Sequence, residues 1–223
     1  MQTPTYIFTD DFSGFEEVFK AAPHRRVSFE KGDSLWASGQ PFSPIYYILS
    51  GTAMTCIHHE EGRRKILSFH GRGTVFPVYH ANQFKIERSI VTQALEEVEA
   101  LEFTGAQFRS MMQENFSFAE TVIDWYASYV NLLLYETAHQ EYNSAFLKLC
   151  NLLYLLSDKK GGPDDRQIHL SQEELADVLA VNRVNLSRHL SRLRQEGIIS
   201  TGRKQIQVLR PDLLADFCSS ETV

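Results

Sequence analysis

Residues 168–211, IHLSQEELADVLAVNRVNLSRHLSRLRQEGIISTGRKQIQVLRP, constrain the fold of this chain more than any other stretch. Ser171 followed three positions later by Glu174 is a capping box, which starts a helix by satisfying two orphaned backbone N–H groups at once. Leu175, Val178 and Leu179 give that helix a single apolar stripe. The turn at Ala180–Asn182 is short, and Asn182 is suited to cap a second helix. In this second helix Leu186, Leu190 and Leu193 share one side at the 3.6-residue period. Val184, Arg188, Ser191 and Gln195 share the other side, flanked by Ser187 and Arg192. Gly197 ends it, and IISTGRKQIQV reads as a two-stranded wing turning at Thr201–Gly202. Helix, tight turn, helix and hairpin make a winged helix-turn-helix, whose second helix enters a DNA major groove.

Charge supports the same reading. Residues 180–210 hold Arg183, Arg188, Arg192, Arg194, Arg203, Lys204 and Arg210 against one acid, Glu196. That excess of six positive charges, in a chain of net charge −6, leaves −12 for the remainder. A basic patch on an acidic body is the electrostatic footprint of a polyanion partner. A merely solvated helix face interleaves acids at i+4 spacing, and here they are missing. The arginines flank short side chains because phosphate contacts position a protein while base contacts specify sequence.

The 223 residues suffice for two modest domains with real cores. No run of eighteen apolar residues suggests a transmembrane span, and MQTPTYIFTDDFSGFEE lacks the pattern of a signal peptide. Cys56, Cys150 and Cys218 are far apart and odd in number, which argues against a disulfide framework or a clustered metal site and for reduced thiols in the cytoplasm.

Residues 27–104 read as short strands broken by turns: YYILSG, TAMTCIHH, a tip at EEGRR, KILSFH, the turn GRGTVF, then RSIVTQAL and EVEALEF. Their spacing suggests a sandwich or barrel. A helix is predicted from about Gln107 to His139. Val122, Tyr126, Tyr129 and Leu133 form a seam at steps of four, three and four, with Met112, Phe116, Phe118, Trp125, Val130 and Leu132 widening the apolar surface. Such a helix has one face for the strand domain and one for a second copy, unless it is an ordinary core helix. EYNSAF (141–146) marks a hinge, Phe146, Leu149, Leu153 and Leu156 define another helix, and DKKGGPDDR (158–166) is a polar loop. The expected fold is α+β: a sensing β-sandwich over 1–106, a dimerisation helix over 107–140, and the winged helix-turn-helix over 141–223.

YYILSG, the helix after it and LSQEELADVLAVNRVNLSRHLSRLRQEGII together resemble the CRP/FNR family of bacterial transcription regulators, from about residue 25 to 215. The resemblance implies a cyclic-nucleotide-binding-like jelly roll (a double-stranded β-helix) and a cytoplasmic homodimer that responds to a small-molecule effector. It also implies partnership with double-stranded DNA and RNA polymerase, with no cofactor, metal or membrane. Three base-reading positions of the family match Val184, Ser187 and Arg188. Many members carry Glu at the first, which accepts from cytosine N4; Val184 offers apolar contact, most naturally to a thymine methyl, so the operator should be palindromic and A·T-rich. The Val-x-x-Ser-Arg pattern resembles the chlorophenol-responsive regulators of halorespiration (CprK-like), which recognise TTAAT-type half-sites. Arg183 matches a position that contacts base or phosphate, and Arg192, Arg203 and Lys204 are assigned to phosphates.

Cyclic-nucleotide members hold ribose through a Gly-Glu pair and phosphate through an Arg-Ser pair. Arg88-Ser89 matches the second, but the Gly-Glu slot falls on Pro77-Val78. Valine accepts no hydrogen bond, and a hydroxyl left unsatisfied against it costs about 1–3 kcal/mol, which argues against cyclic AMP. Phe76, Val78 and Tyr79, with Trp125, Tyr126 and Tyr129 from the helix and Arg88 as a cation, suit a halogenated phenol or aryl acid. Against this, the helix Lys of the chlorophenol sensors falls on Ser128, and the aromatics alternatively belong to the dimer-helix core. Haem sensing would need an axial ligand from His58, His59, His70, His80 or Cys56, and redox sensing a single thiol. An enzyme of metal-dependent cupin type needs a His-x-His pair with a downstream Glu and His, and CIHHEEGRRK lacks that spacing. No enzymatic activity is expected.

Overall fold

The computed structural model describes residues 2–37, 44–82, 84–157 and 166–223. They divide into two compact units, Ile7–Ser128 and residues 2–6 with Tyr129–Val223. The polar loop expected at 158–166 lies outside the described residues except for Arg166.

The first unit begins with β1 (Ile7–Phe8) and the short helix α1 (Glu16–Ala21), followed by β2 (Arg25–Phe29), β3 (Ser34–Trp36), β4 (Ile45–Ser50), β5 (Ala53–His58), β6 (Arg64–His70), β7 (Val75–Phe76), β8 (Ile90–Ala94) and β9 (Val98–Phe103). These strands build two sheets, ordered β1-β6-β5-β8-β3 and β2-β9-β4-β7. Leu35, Ala53 and Ala94 from the first sheet meet Tyr46, Ile48, Val98 and Ala100 from the second in one buried cluster, closed by Val27 and Phe29. Two sheets burying one shared core are a sandwich, here a double-stranded β-helix. The glycine of YYILSG has a steric reason: Gly51 sits at φ +81°, and a Cβ there would lie 2.1 Å from the Glu97 carbonyl oxygen.

The helical segment after the sandwich is two helices rather than the single one expected. α2 (Gly105–Glu114) starts from a capping box on Thr104 and Gln107, and α3 (Phe116–Tyr142) follows after Asn115. Asn115 is extended, at φ −135° and ψ 102°, and its side-chain oxygen accepts from the Phe118 N–H at 3.1 Å. A residue able to cap the next helix thus breaks the run. Phe12, Phe15, Phe19 and Phe108 pack around Phe118 with ring centroids 5.3–5.8 Å away, which anchors the start of α3 to the sandwich.

α3 carries two apolar faces, but they are not the expected ones. Phe118, Val122, Trp125, Leu132 and Tyr135 are buried. Phe116, Ile123 and Val130, seven apart, then Leu133 and Leu134, stay exposed, with Ile123 65%, Val130 49% and Leu134 66% accessible. Val122 therefore leaves the predicted seam, which shifts by one residue to Ile123. The helix is apolar almost all round, so period alone does not select which stripe faces inward. No helix among the described residues is long and apolar enough to cross a membrane.

In the second unit α3 ends near Asn143–Ser144, where the hinge was expected, and Ser144 accepts from the Leu147 N–H of α4 (Ala145–Ser157). A short β10 (Gln167–Ile168) leads into α5 (Gln172–Leu179) and α6 (Arg183–Gln195), then β11 (Ile199–Gly202), β12 (Gln205–Val208) and α7 (Pro211–Ala215). The wing has three strands, ordered β10-β12-β11. It turns at Arg203–Lys204, two residues beyond the expected Thr201–Gly202, because Gly202 still pairs with Gln205. Leu149, Leu153 and Leu156 of α4 join Leu175, Leu179, Leu186, Leu190 and Leu193 in the buried set.

Candidate nucleic-acid interface and sensor core

Local chemistry fixes α5 and α6. Ser171 Oγ accepts from the Glu174 N–H at 3.1 Å while Glu174 takes the Ser171 N–H at 2.6 Å, completing the capping box. Asn182 Oδ1 accepts from the Val184 N–H at 2.8 Å. At the other end Gly197, at φ +70°, and Ile198 donate to the carbonyls of Arg194 and Leu193, a Schellman stop. With Leu186, Leu190 and Leu193 buried, α6 presents Arg183, Val184, Ser187 and Arg188 outward. Val184 is 75% exposed. These four with Ser191 and Gln172 line an open depression of about 500 Å³.

No acid occupies the first turn of α6, so its positive helix end and Arg183 add rather than cancel. Arg203 and Lys204 form the exposed wing tip. A cationic tip beside a helix with short side chains between arginines can clamp a phosphate backbone while the helix reads base edges.

Two arginines behave otherwise. The Arg192 guanidinium lies 4.2 Å from the Phe146 ring centroid and 5.5 Å from that of Phe217, and its Nε donates to Glu196 at 2.9 Å. Stacked on these rings and paired to a carboxylate, with about half of its side chain exposed, it ties α6 to α4 and the segment after α7, a role that the phosphate assignment does not include. Arg194, which the sequence reading left without a role, donates to Ser191 and to Thr201 on the wing, both at 3.1 Å. It braces the wing against α6. Gln172 was also missed; it stands at the first position of α5, a place sequence alone marks only as helical.

In the sandwich Phe76, Val78 and Trp125 are buried, Tyr79, Tyr126 and Ser89 half-buried, and Arg88 exposed. The expectation that Arg88 points a cation into an apolar pocket therefore does not match its placement: it ends a 3-10 turn, Lys85–Ser89, on the surface. Tyr126 donates to the carbonyls of Val78 at 2.9 Å and Tyr79 at 3.2 Å, pinning that segment to α3. Tyr129 falls on the other side of the unit boundary.

The group between these aromatics is His70. Its ring stacks on Phe76 at 3.9 Å and faces Phe8 at 5.6 Å and Trp125 at 6.3 Å. Nε2 lies 2.9 Å from Ser68 Oγ, whereas Nδ1 meets no hydrogen-bonding atom among the described residues. Burial pushes its pKa down to about 3, so the imidazole is neutral. His58 and His59, by contrast, are exposed next to the β5–β6 turn.

Comparison with known proteins bears on both units. A cyclic nucleotide-binding domain profile matches residues 26–115, and a Crp-like helix-turn-helix domain profile matches residues 147–217. The chain belongs to the CRP/FNR family of transcription regulators. Among curated relatives of this CRP/FNR regulator, the cAMP-activated global transcriptional regulator CRP of Salmonella typhimurium is 27% identical over 177 residues, covering 76% of this chain and 82% of its own. The cAMP-activated global transcriptional regulator Vfr of Pseudomonas aeruginosa is 25% identical, covering 83% and 89%. The fold of this chain superposes on FixK2 from Bradyrhizobium japonicum with TM-score 0.77 at 17% identity, over 89% of this chain and 98% of that one. CprK complexed with OCPA gives 0.73 at 19%, over 97% and 99%. The CRP/FNR regulator is thus a DNA-binding protein with an effector-binding domain rather than an enzyme.

Proposed function

We propose that this CRP/FNR regulator acts as a homodimer in which residues 1–106 sense an effector, 107–140 dimerise and 141–223 bind a palindromic, A·T-rich operator. The observation that carries the reading is the outward face of α6. Val184 at the first base-reading position is exposed and has no hydrogen-bonding atom, so it favours a thymine methyl over cytosine N4. Ser187 and Arg188 complete the reading face, with Arg183 and the Arg203–Lys204 tip on phosphates. RNA polymerase is the further partner such a regulator engages. Replacing Arg188 with Ala is expected to cost about 1–3 kcal/mol of discrimination at one base pair per half-site. Fluorescence anisotropy with matched and singly mismatched duplexes measures it; unchanged preference would remove Arg188 from the base-reading set.

The effector is an aromatic acid or halogenated phenol, not cyclic AMP. Buried Val78 supplies no acceptor for a ribose hydroxyl, and the lining around it is aromatic. His70 supports this class: its Nδ1 is the polar atom of the cluster suited to a phenolate or carboxylate oxygen. CprK, whose fold this chain shares, was solved with OCPA. Trp125, one of two tryptophans, reports directly. Titration with halogenated phenols and aryl acids is expected to change its fluorescence saturably, and the response to be lost in H70F. A response to cyclic AMP alone would contradict the assignment of Val78.

A further inference from the structure

Arg188 is held before it meets DNA. Its Nη2 donates to the Asn185 side-chain oxygen at 2.5 Å, one turn back on α6. Asn185 is exposed and lies outside the buried Leu186–Leu190–Leu193 stripe, so packing does not account for it. The chemistry of the holder matters. A carboxylate here would grip the guanidinium more firmly but would cancel its charge and repel phosphates. A neutral amide oxygen orients Arg188 and leaves its full positive charge for the duplex. The one acid of α6 and its C-cap, Glu196, is occupied by Arg192 at the far end.

We infer that Asn185 is a positioning residue for sequence discrimination: it sets the guanidinium plane of Arg188 toward one base edge and not toward the backbone. The inference rests on Arg188 reading a base. An arginine side chain left free loses its rotamer freedom on binding, whereas one already oriented has little left to lose. A fork meeting both acceptors of a guanine edge, O6 and N7, also requires the plane to be set correctly.

The test uses the full-length protein and a duplex selected from random DNA by the wild type, with single base-pair substitutions through the half-site. Asn185→Ala is expected to lower discrimination about threefold to tenfold at the base pair read by Arg188, with thermal stability and non-specific affinity unchanged. In an Arg188→Ala background it should change nothing further, since the residue acts only through Arg188. Asn185→Asp keeps an acceptor for Arg188. It should retain discrimination while weakening all duplexes, because it adds a negative charge beside the phosphates. Uniform weakening by Asn185→Ala would make Asn185 a phosphate contact, and altered preference at another base pair would make it a base reader. Either overturns the inference. Failure of Arg188→Ala alone to affect any position would instead refute the underlying reading of Arg188.

Discussion

Val130→Glu is expected to turn the protein from dimer to monomer in sedimentation equilibrium and to lower its affinity for a palindromic duplex by about 10²–10⁴-fold. Val130 sits mid-way along the exposed seam of α3, with Phe116 and Ile123 at seven-residue steps before it and Leu133–Leu134 after it. Such spacing is an a/d stripe, and its burial against a second copy is worth about 1.5–3 kcal/mol for each large side chain removed from water. A glutamate at the centre places two unpaired carboxylates face to face in that interface. The affinity falls so far because each half of a palindrome is then bound independently, without the effective concentration that linkage supplies. The buried face, with Val122 and Trp125, is untouched, so the monomer should remain folded with an unchanged far-ultraviolet spectrum. A dimer surviving the substitution would move the interface elsewhere.

The second large effect concerns pH. The contribution of His70 to stability should fall by about 1.4 kcal/mol for each unit as pH drops below about 6.5, and His70→Phe should remove that contribution, while Asp11, whose carboxyl burial pushes up to about 6, acts in the opposite direction. His70 has a folded pKa of about 3, pushed down by burial alone, against an ordinary value of 6.5. Between those values the unfolded chain carries a proton that the folded one refuses, so acid favours unfolding; above pH 6.5 neither state is protonated and the contribution is flat. Its neighbours Phe8, Phe76, Trp125 and Ser68 offer no carboxylate to stabilise an imidazolium. His139 adds in the same direction: burial lowers its pKa, and its Nδ1 lies 3.1 Å from Asn151 Nδ2, the donor to an unprotonated nitrogen. Urea midpoints from pH 7 to 4 for wild type and H70F give the two slopes. Parallel curves would show that His70 binds its proton equally in the folded and unfolded chain, which contradicts the lowered pKa.

The helix-turn-helix was legible because its determinants are local. Ser171, Glu174, Asn182 and Gly197 act within one turn of where they stand, and the Leu186 stripe needs only the helical period. The break at Asn115 was less so: MMQENFSF reads as continuous helix unless the asparagine is recognised as a cap. In α3 an almost uninterrupted apolar run from Trp125 to Leu134 hides which stripe packs inward, and only tertiary packing decides it. Arg192 looked like its neighbours because the rings that claim it, Phe146 and Phe217, come from distant segments. His70 stands in the sequence only as one of several possible haem ligands, since alternation along KILSFH does not announce a strand end buried on both faces: Ser68, Phe69 and His70 are all inside. Arg88 was placed by register with relatives, and register does not reveal that its side chain faces out.

The central claim, that α6 reads DNA sequence through Val184, Ser187 and Arg188, is tested most directly by selection from a random duplex pool with the full-length protein, run beside Arg188→Ala and sequenced in both cases. Wild type should enrich an A·T-rich palindrome with half-site centres about 34 Å apart, one DNA turn, and Arg188→Ala should lose information at one symmetric pair of positions. Enrichment of no motif, or of the same motif by both proteins, would contradict it.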